Sequence, residues 1–528
     1  MPKSPKPKAK TKKKVAEKKI GLFFGAGAEI AYGLPSGGKF AIEIFRSKPD
    51  DAKARFRELL ANLNSRTSYA SEFLPQNFES KRISVFGKPD YKSLIKSSIE
   101  YRRNQIKKFL DDFDSNVKWA FDDYSVKESD FAEQFETTTG KQFGSVIYDL
   151  DVQLNDSLKG NSDLFKSEYF SAFLEVLKSK PEHVLLRKCL TAFIQLLVGC
   201  LGQQLASDLN DQVFTKAPDD IPIFDDVAGF FQIEISQAGL SALEIILDES
   251  PRAIDTTSTL EDLAAELARA TLEKLFELCL DYQALIDSHF RYLYEPKAHW
   301  GKFTKISVFL NVVRDYIVNS ISDPTAIVKT GDGFYHDILK FSSSGLGVSR
   351  VGTVNYNRLV SDIATPALLN EVEYLHGSVS DYYDPFLNSI VTLANPDEYT
   401  NYEHVIVPFL FTQSGIKPLT SVTMSRRYVQ LFDDFKGSDV VAIVGFGFQR
   451  DDGHVNGMFR QLIEDEGKTV VICDYTRGGF DNDARRKFYR KKLRLGSDPS
   501  NMIILPVDND RKCATNGKPW FEEIRARI

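Results

Sequence analysis

Two carboxamides, two imidazoles and three glycine turns stand at the ends of short apolar runs in this chain. Such a set can hold a phosphate-bearing ligand and move a proton beside it. The run Ile20–Phe24 leads into Gly25-Ala26-Gly27, and Gly33-Leu34-Pro35 follows six residues later. Glycine after a buried strand lets the backbone turn sharply and approach a phosphate, and the amides of a following helix favour the anion. Ser349–Val354 ends in Asn355 and Asn357, and Val372–Leu375 ends in His376-Gly377. An imidazole titrating near neutrality can take or give a proton. Val440–Val444 leads into Gly445 and Gly447, followed by Asp452, His454 and Asn456, while Thr469–Cys473 ends in Asp474, in place for a ribose hydroxyl. Each feature also has a plainer use: Asn forms turns, a His before Gly can be a satisfied turn residue, and Asp452 or Asn456 can cap a helix.

These groups act together only if the strand ends that carry them meet. Ligands of open α/β sheets sit beyond the carboxyl ends of the strands. Beyond about residue 346, β-branched runs recur, including His404–Leu410 and Met502–Pro506, with polar or helical segments between them. That is the pattern of a parallel sheet. The run at 20–24 has no neighbouring strand before these. The expected fold is therefore one α/β sheet whose first strand is remote in sequence, with a large helical domain inserted after it. The expected boundaries are a tail over 1–19, the sheet domain over 20–50 and 346–528, and the helical domain over 51–345. A capping box, Ser258-x-x-Glu261, opens the clearest helix of that domain. Leu260, Leu263, Leu267, Leu272, Leu275 and Cys279 follow at helical spacing. Similar stripes near 98–123 and 182–208 are core packing.

The chain has 528 residues, too many for one core, and 42 % hydrophobic with 27 % charged residues excludes a disordered protein. Residues 1–19 hold nine Lys and one Glu, a formal +8, which leaves −14 of the total −6 for residues 20–528. An acidic body argues against broad nucleic-acid binding by the folded part, while the Lys- and Pro-rich tail is expected to be disordered and open to nucleic acid or an acidic partner. The longest uncharged stretch, Cys189–Ser207, contains three Gln and suits a buried helix, so no membrane span is expected. Five scattered cysteines form no C-x-x-C pair, which argues against a zinc ribbon and fits a reducing cytoplasm.

Taken in order, the motifs resemble the sirtuin family. The matching positions are Gly25, Ala26 and Gly27 with Gly33-Leu34-Pro35, then Thr353, Asn355 and Asn357, then His376-Gly377, then Gly445 and Gly447. The departures are Glu29 for the serine of the first motif, Asn357 for the acid of the second, Ser36-Gly37-Gly38-Lys39-Phe40 where a deacylase has Asp-Phe-Arg, and the missing zinc ribbon. With Asp452-Gly453-His454-Val455-Asn456, these departures resemble the sirtuin-like domains of bacterial antiphage defence, which hydrolyse NAD.

The resemblance implies a Rossmann-like sheet and cleavage of the nicotinamide–ribose bond of NAD, with NAD as substrate and no metal. It implies that Asn355 orients water or the ribose and that His376 accepts the proton. Gly25, Ala26 and Gly27 would hold the pyrophosphate, and Gly445, Gly447 and Asp474 the adenosine half. Glu29, Leu34, Pro35 and Asn357 would border the nicotinamide end, and Asp452 and His454 complete the expected cofactor-binding set. It further implies regulation by homo-oligomer assembly, a partner ATPase or a phage-derived trigger, in an abortive-infection role in the cytoplasm. A protein deacylase and a non-catalytic NAD or ADP-ribose sensor are the competing expectations.

Overall fold

The computed structural model describes residues 18–34, 37–145, 162–208, 239–248, 251–255, 257–280, 282–368, 370–410, 421–449, 452–476 and 480–527. Residues 1–17 of the Lys-rich tail, Pro35, Ser36, Arg450 and Asp451 lie outside the described residues. The chain divides into two compact units. One comprises Met1–Leu34, Ile317–Tyr399 and His404–Ile528; the other comprises Pro35–Tyr316 and Thr400–Glu403. The divisions fall at 34/35 and 316/317, not at 50/51 and 345/346 as the sequence suggested. Residues 317–345 belong with the sheet because Tyr335, Ile338 and Phe341 pack into its core. Residues 37–46 form a helix of the other unit.

In the first unit the strands, in chain order, are β1 (Lys18–Phe24), β2 (Leu346–Thr353), β3 (Glu373–Tyr374), β4 (Asp381–Asp384), β5 (Ser389–Thr392), β6 (Val407–Pro408), β7 (Val440–Val444), β8 (Val470–Tyr475) and β9 (Met502–Val507). Six of them form a parallel sheet in the order β3-β2-β1-β7-β8-β9. With the small sheet set aside this is 3-2-1-4-5-6, a mixed α/β arrangement compatible with a Rossmann-like fold, and the order reverses between β1 and β7. The run at 404–410 is not part of it. There β6 pairs antiparallel with β4 in a separate three-stranded sheet, β5-β4-β6. Lys18 and Lys19 belong to β1 and not to the tail, and the Lys19 amide bonds Asp439 Oδ2 at 2.7 Å.

Both faces of the parallel sheet are covered, which explains its unbroken apolar runs. Ile20, Leu22 and Phe24 enter one core with Tyr335, Val444 and Trp520. Phe23 enters the opposite core with Phe435, Phe446 and Phe459. Phe23 meets Phe446 and Phe459 edge-on at 5.3 and 4.9 Å. The first strand thereby ties both layers together.

The second unit has no strand among its described residues. Its helix Val184–Asp208 packs against helices Lys88–Asp111, Leu240–Asp248 and Leu260–Phe276. Residues Val184–Leu201 have the length and mean hydropathy, 1.8, of a membrane span, and 67 % of that stretch is buried inside the unit. Leu260–Phe276 is capped by Thr259, whose hydroxyl accepts from the Asp262 amide, one residue later than the Ser258 box; Cys279 falls beyond its end. Phe23→Ala should cost about 3–5 kcal/mol, because a fully buried aromatic packed edge-on against Phe446 and Phe459 leaves a cavity. Denaturant unfolding should show the midpoint falling with the slope kept.

Candidate functional site

The carboxyl ends of β1, β2, β3 and β7 lie level. Phe24 pairs with Thr353 on one side and Val444 on the other, and Thr353 pairs with Tyr374. The loops after all four strands therefore leave from one edge. The Gly25 and Gly27 amides donate to the carbonyls of Val444 and Gly445 at 3.0 and 2.9 Å. The expectation that these glycines admit a ligand phosphate needs correction, because what they admit is another backbone. A Cβ on Gly25 would stand 2.7 Å from the Gly445 carbonyl oxygen, and one on Gly445, whose φ is +68°, would stand 2.2 Å from the Ala28 nitrogen. Two amides expected to face a pyrophosphate are spent on this contact. Ala26 and Gly447 remain exposed beside it. The segment after the turn is a short 3-10 helix, Ala26–Tyr32, and Leu34 is packed against the core beyond it.

On the β2 side of this seam lies a buried polar cluster. Asn355 Nδ2 donates to the Gly25 carbonyl at 3.0 Å and to the Tyr335 hydroxyl at 3.1 Å. Tyr335 donates to Glu29 Oε1 at 2.8 Å, and Asn357 Nδ2 to Glu29 Oε2 at 2.6 Å. Burial pushes the Glu29 carboxyl up to about 7 even though these hydrogen bonds oppose the shift. Tyr335 was not legible as a site residue: it sits on the five-residue helix Phe334–Ile338, outside every glycine or strand-end motif.

Toward β3 and β7 lies a second cluster. His376 is 3 % exposed, and its Nε2 is 3.3 Å from His454 Nε2 and 3.7 Å from Asp452 Oδ1. Burial, with the neighbouring His454, lowers His376 to about 3, and burial lowers His454 to about 4, so both rings are neutral at pH 7. His454 Nδ1 and Asn456 Oδ1 are buried with no hydrogen-bond partner among the described residues. The Tyr428 ring packs edge-on to His454 at 5.3 Å, a neighbour the motifs did not indicate. Gly377 has φ +81°, and a Cβ there would lie 2.0 Å from the Phe409 carbonyl oxygen, so the His-Gly pair is required by packing. Ser378 and Arg427 hold that turn through Asp381.

Of the expected residues, Gly25, Glu29, Asn355 and Asn357 meet in the first cluster, and His376, Asp452 and His454 in the second. Asp474 does not join either. Both its oxygens are taken by Arg485, and Tyr489 donates to it at 2.6 Å, so its carboxylate is already satisfied where a ribose hydroxyl was expected. Among the described residues no group of three or more His, Cys, Asp or Glu could hold a metal ion. No protein-family model, curated protein or solved structure matches this chain.

Two outcomes follow from this geometry. Gly445→Ala should destabilise the first unit by about 1–3 kcal/mol or more, since the clash is with backbone and φ is positive; a lower thermal midpoint measures it. The two histidines have depressed folded values, so their contribution is complete above 6.5 and is lost as pH falls toward 4 and 3. Glu29 is raised from 4.5, so its contribution is complete below 4.5 and is lost as pH rises through about 7. The melting temperature should therefore fall on the acid side, and His376→Gln should flatten that fall.

Proposed function

We propose that the first unit is a sirtuin-like, Rossmann-like domain that hydrolyses NAD to nicotinamide and ADP-ribose. The observation that carries this reading is the reversal of strand order between β1 and β7, with the glycine loops at that break and Asn355 and His376 on the neighbouring strand ends. A crevice at such a reversal is where dinucleotides bind in doubly wound sheets. Exposed backbone at Ala26 and Gly447 is the surface left for the pyrophosphate.

In the reaction the C1′–nitrogen bond breaks and its electron pair leaves with nicotinamide, while positive charge develops on the ribose. Water then adds to C1′ and gives its proton to an acceptor. His376 titrates at about 3, not near neutrality as the sequence suggested. It is therefore a neutral but weak base and would take that proton only once the water adding to C1′ has become strongly acidic. Asn355 supplies a fixed dipole beside the charge. Asp452 and His454 border His376 and would help hold the ribose. The helical unit would serve assembly or gating of an effector that depletes NAD in antiphage defence, through self-association, a partner ATPase or a phage-derived trigger.

Incubating the full chain with NAD should release nicotinamide and ADP-ribose, separable by chromatography. His376→Ala and Asn355→Ala should each lower turnover by about 10²-fold or more, while circular dichroism shows them folded. Near wild-type cleavage by either variant would remove the role given to that residue.

A further inference from the structure

The orientation of the Glu29 cluster follows from its two ends. The Gly25 carbonyl can only accept, so the Asn355 atom 3.0 Å from it is Nδ2. The second hydrogen on that nitrogen goes to the Tyr335 hydroxyl, leaving the hydroxyl to donate to Glu29 Oε1. At the other end the Leu359 amide can only donate, so Asn357 turns Oδ1 toward it at 3.0 Å and Nδ2 toward Glu29 Oε2. Both carboxyl oxygens are therefore acceptors. The carboxamide oxygen of Asn355 is the atom of that group not used inside the cluster.

Resting on the function proposed above, we infer that Glu29 and Tyr335 are positioning residues that turn the Asn355 carboxamide oxygen toward the substrate ribose. The negative end of that dipole favours the charge developing at C1′ and can accept a hydrogen bond from the attacking water. A proton on Glu29 would stand on an oxygen that already receives a donor. The Tyr335 hydroxyl is then no longer committed to donating to Glu29, and it holds the second Asn355 hydrogen less firmly, leaving the Gly25 carbonyl as the fixed anchor.

The groups facing Glu29 are the Tyr335 phenol, the Asn355 and Asn357 carboxamides and, by its charge alone, the Tyr374 phenol. Burial raises both phenols, so they stay neutral, and no described cation is among the groups that set the Glu29 titration. With the carboxyl at about 7, the ordered network and the activity it supports should increase as pH rises through that value.

The test measures nicotinamide release by the full chain across neutral pH. In the wild type kcat should climb with a midpoint near 7. Tyr335→Phe should lower kcat about tenfold with KM moved less than about threefold. Glu29→Gln should lose a similar amount and lose the climb. In protein labelled with 15N-asparagine, the side-chain amides of Asn355 and Asn357 should shift together over the same range in the wild type and not in Glu29→Gln. Wild-type cleavage with kcat and pH profile unaltered in both variants overturns the positioning role. A wild type that lacks the paired amide titration overturns the network itself. A wild type that titrates but releases no nicotinamide overturns the functional reading, and the substrate role with it, while the network stands.

Discussion

The contact between the Gly25–Gly27 turn and Gly445 is backbone against backbone, and the carboxyl edge of the sheet is built around it. Two amide-to-carbonyl bonds cross it, and no side chain could be added at Gly25, Gly27 or Gly445 without meeting a main-chain atom closer than 3.0 Å. The Gly25 carbonyl then anchors Asn355. One glycine seam therefore fixes the end of β1 to the end of β7 and anchors the loop after β2.

The seam separates two groups with opposite electrostatic demands. On one side a carboxyl is buried among donors, and burial holds more protons on it than it would carry in water. On the other, two imidazoles are buried with their Nε2 atoms 3.3 Å apart and kept neutral. Burial penalises the charged form in both cases, which raises the acid and lowers the bases. Neither arrangement is what stability alone would select, since apolar side chains would fill the same space at less cost. Concentrated violations of this kind mark places where a fold gives up stability for chemistry.

Much of this edge was legible before the fold. Strand ends are marked by apolar runs meeting glycine or a polar residue, so β1, β2, β3, β7, β8 and β9 stood out, as did the alignment of Gly25, Asn355, His376 and Gly445. Three things were not legible. The run at 404–410 has the composition of a strand, but composition does not name its partner, and it pairs antiparallel with β4. Asp474 carries the right residue type at a strand end, yet Arg485 and Tyr489, one and two turns into the following helix, take its carboxylate. Tyr335 lies on a short helix that only the folded chain brings beside Glu29, with no periodicity to announce it. Where a strand ends is a local property of sequence, whereas the strand or side chain it meets is not.

The proposed function requires the loops after β1, β2, β3 and β7 to form a single nucleotide-binding edge. Amide hydrogen exchange of the full chain with and without ADP-ribose tests it most directly. Protection should rise together in segments around residues 25–33, 353–358, 375–380 and 445–449. Protection confined to other parts of the chain, or none at saturating nucleotide, would contradict it.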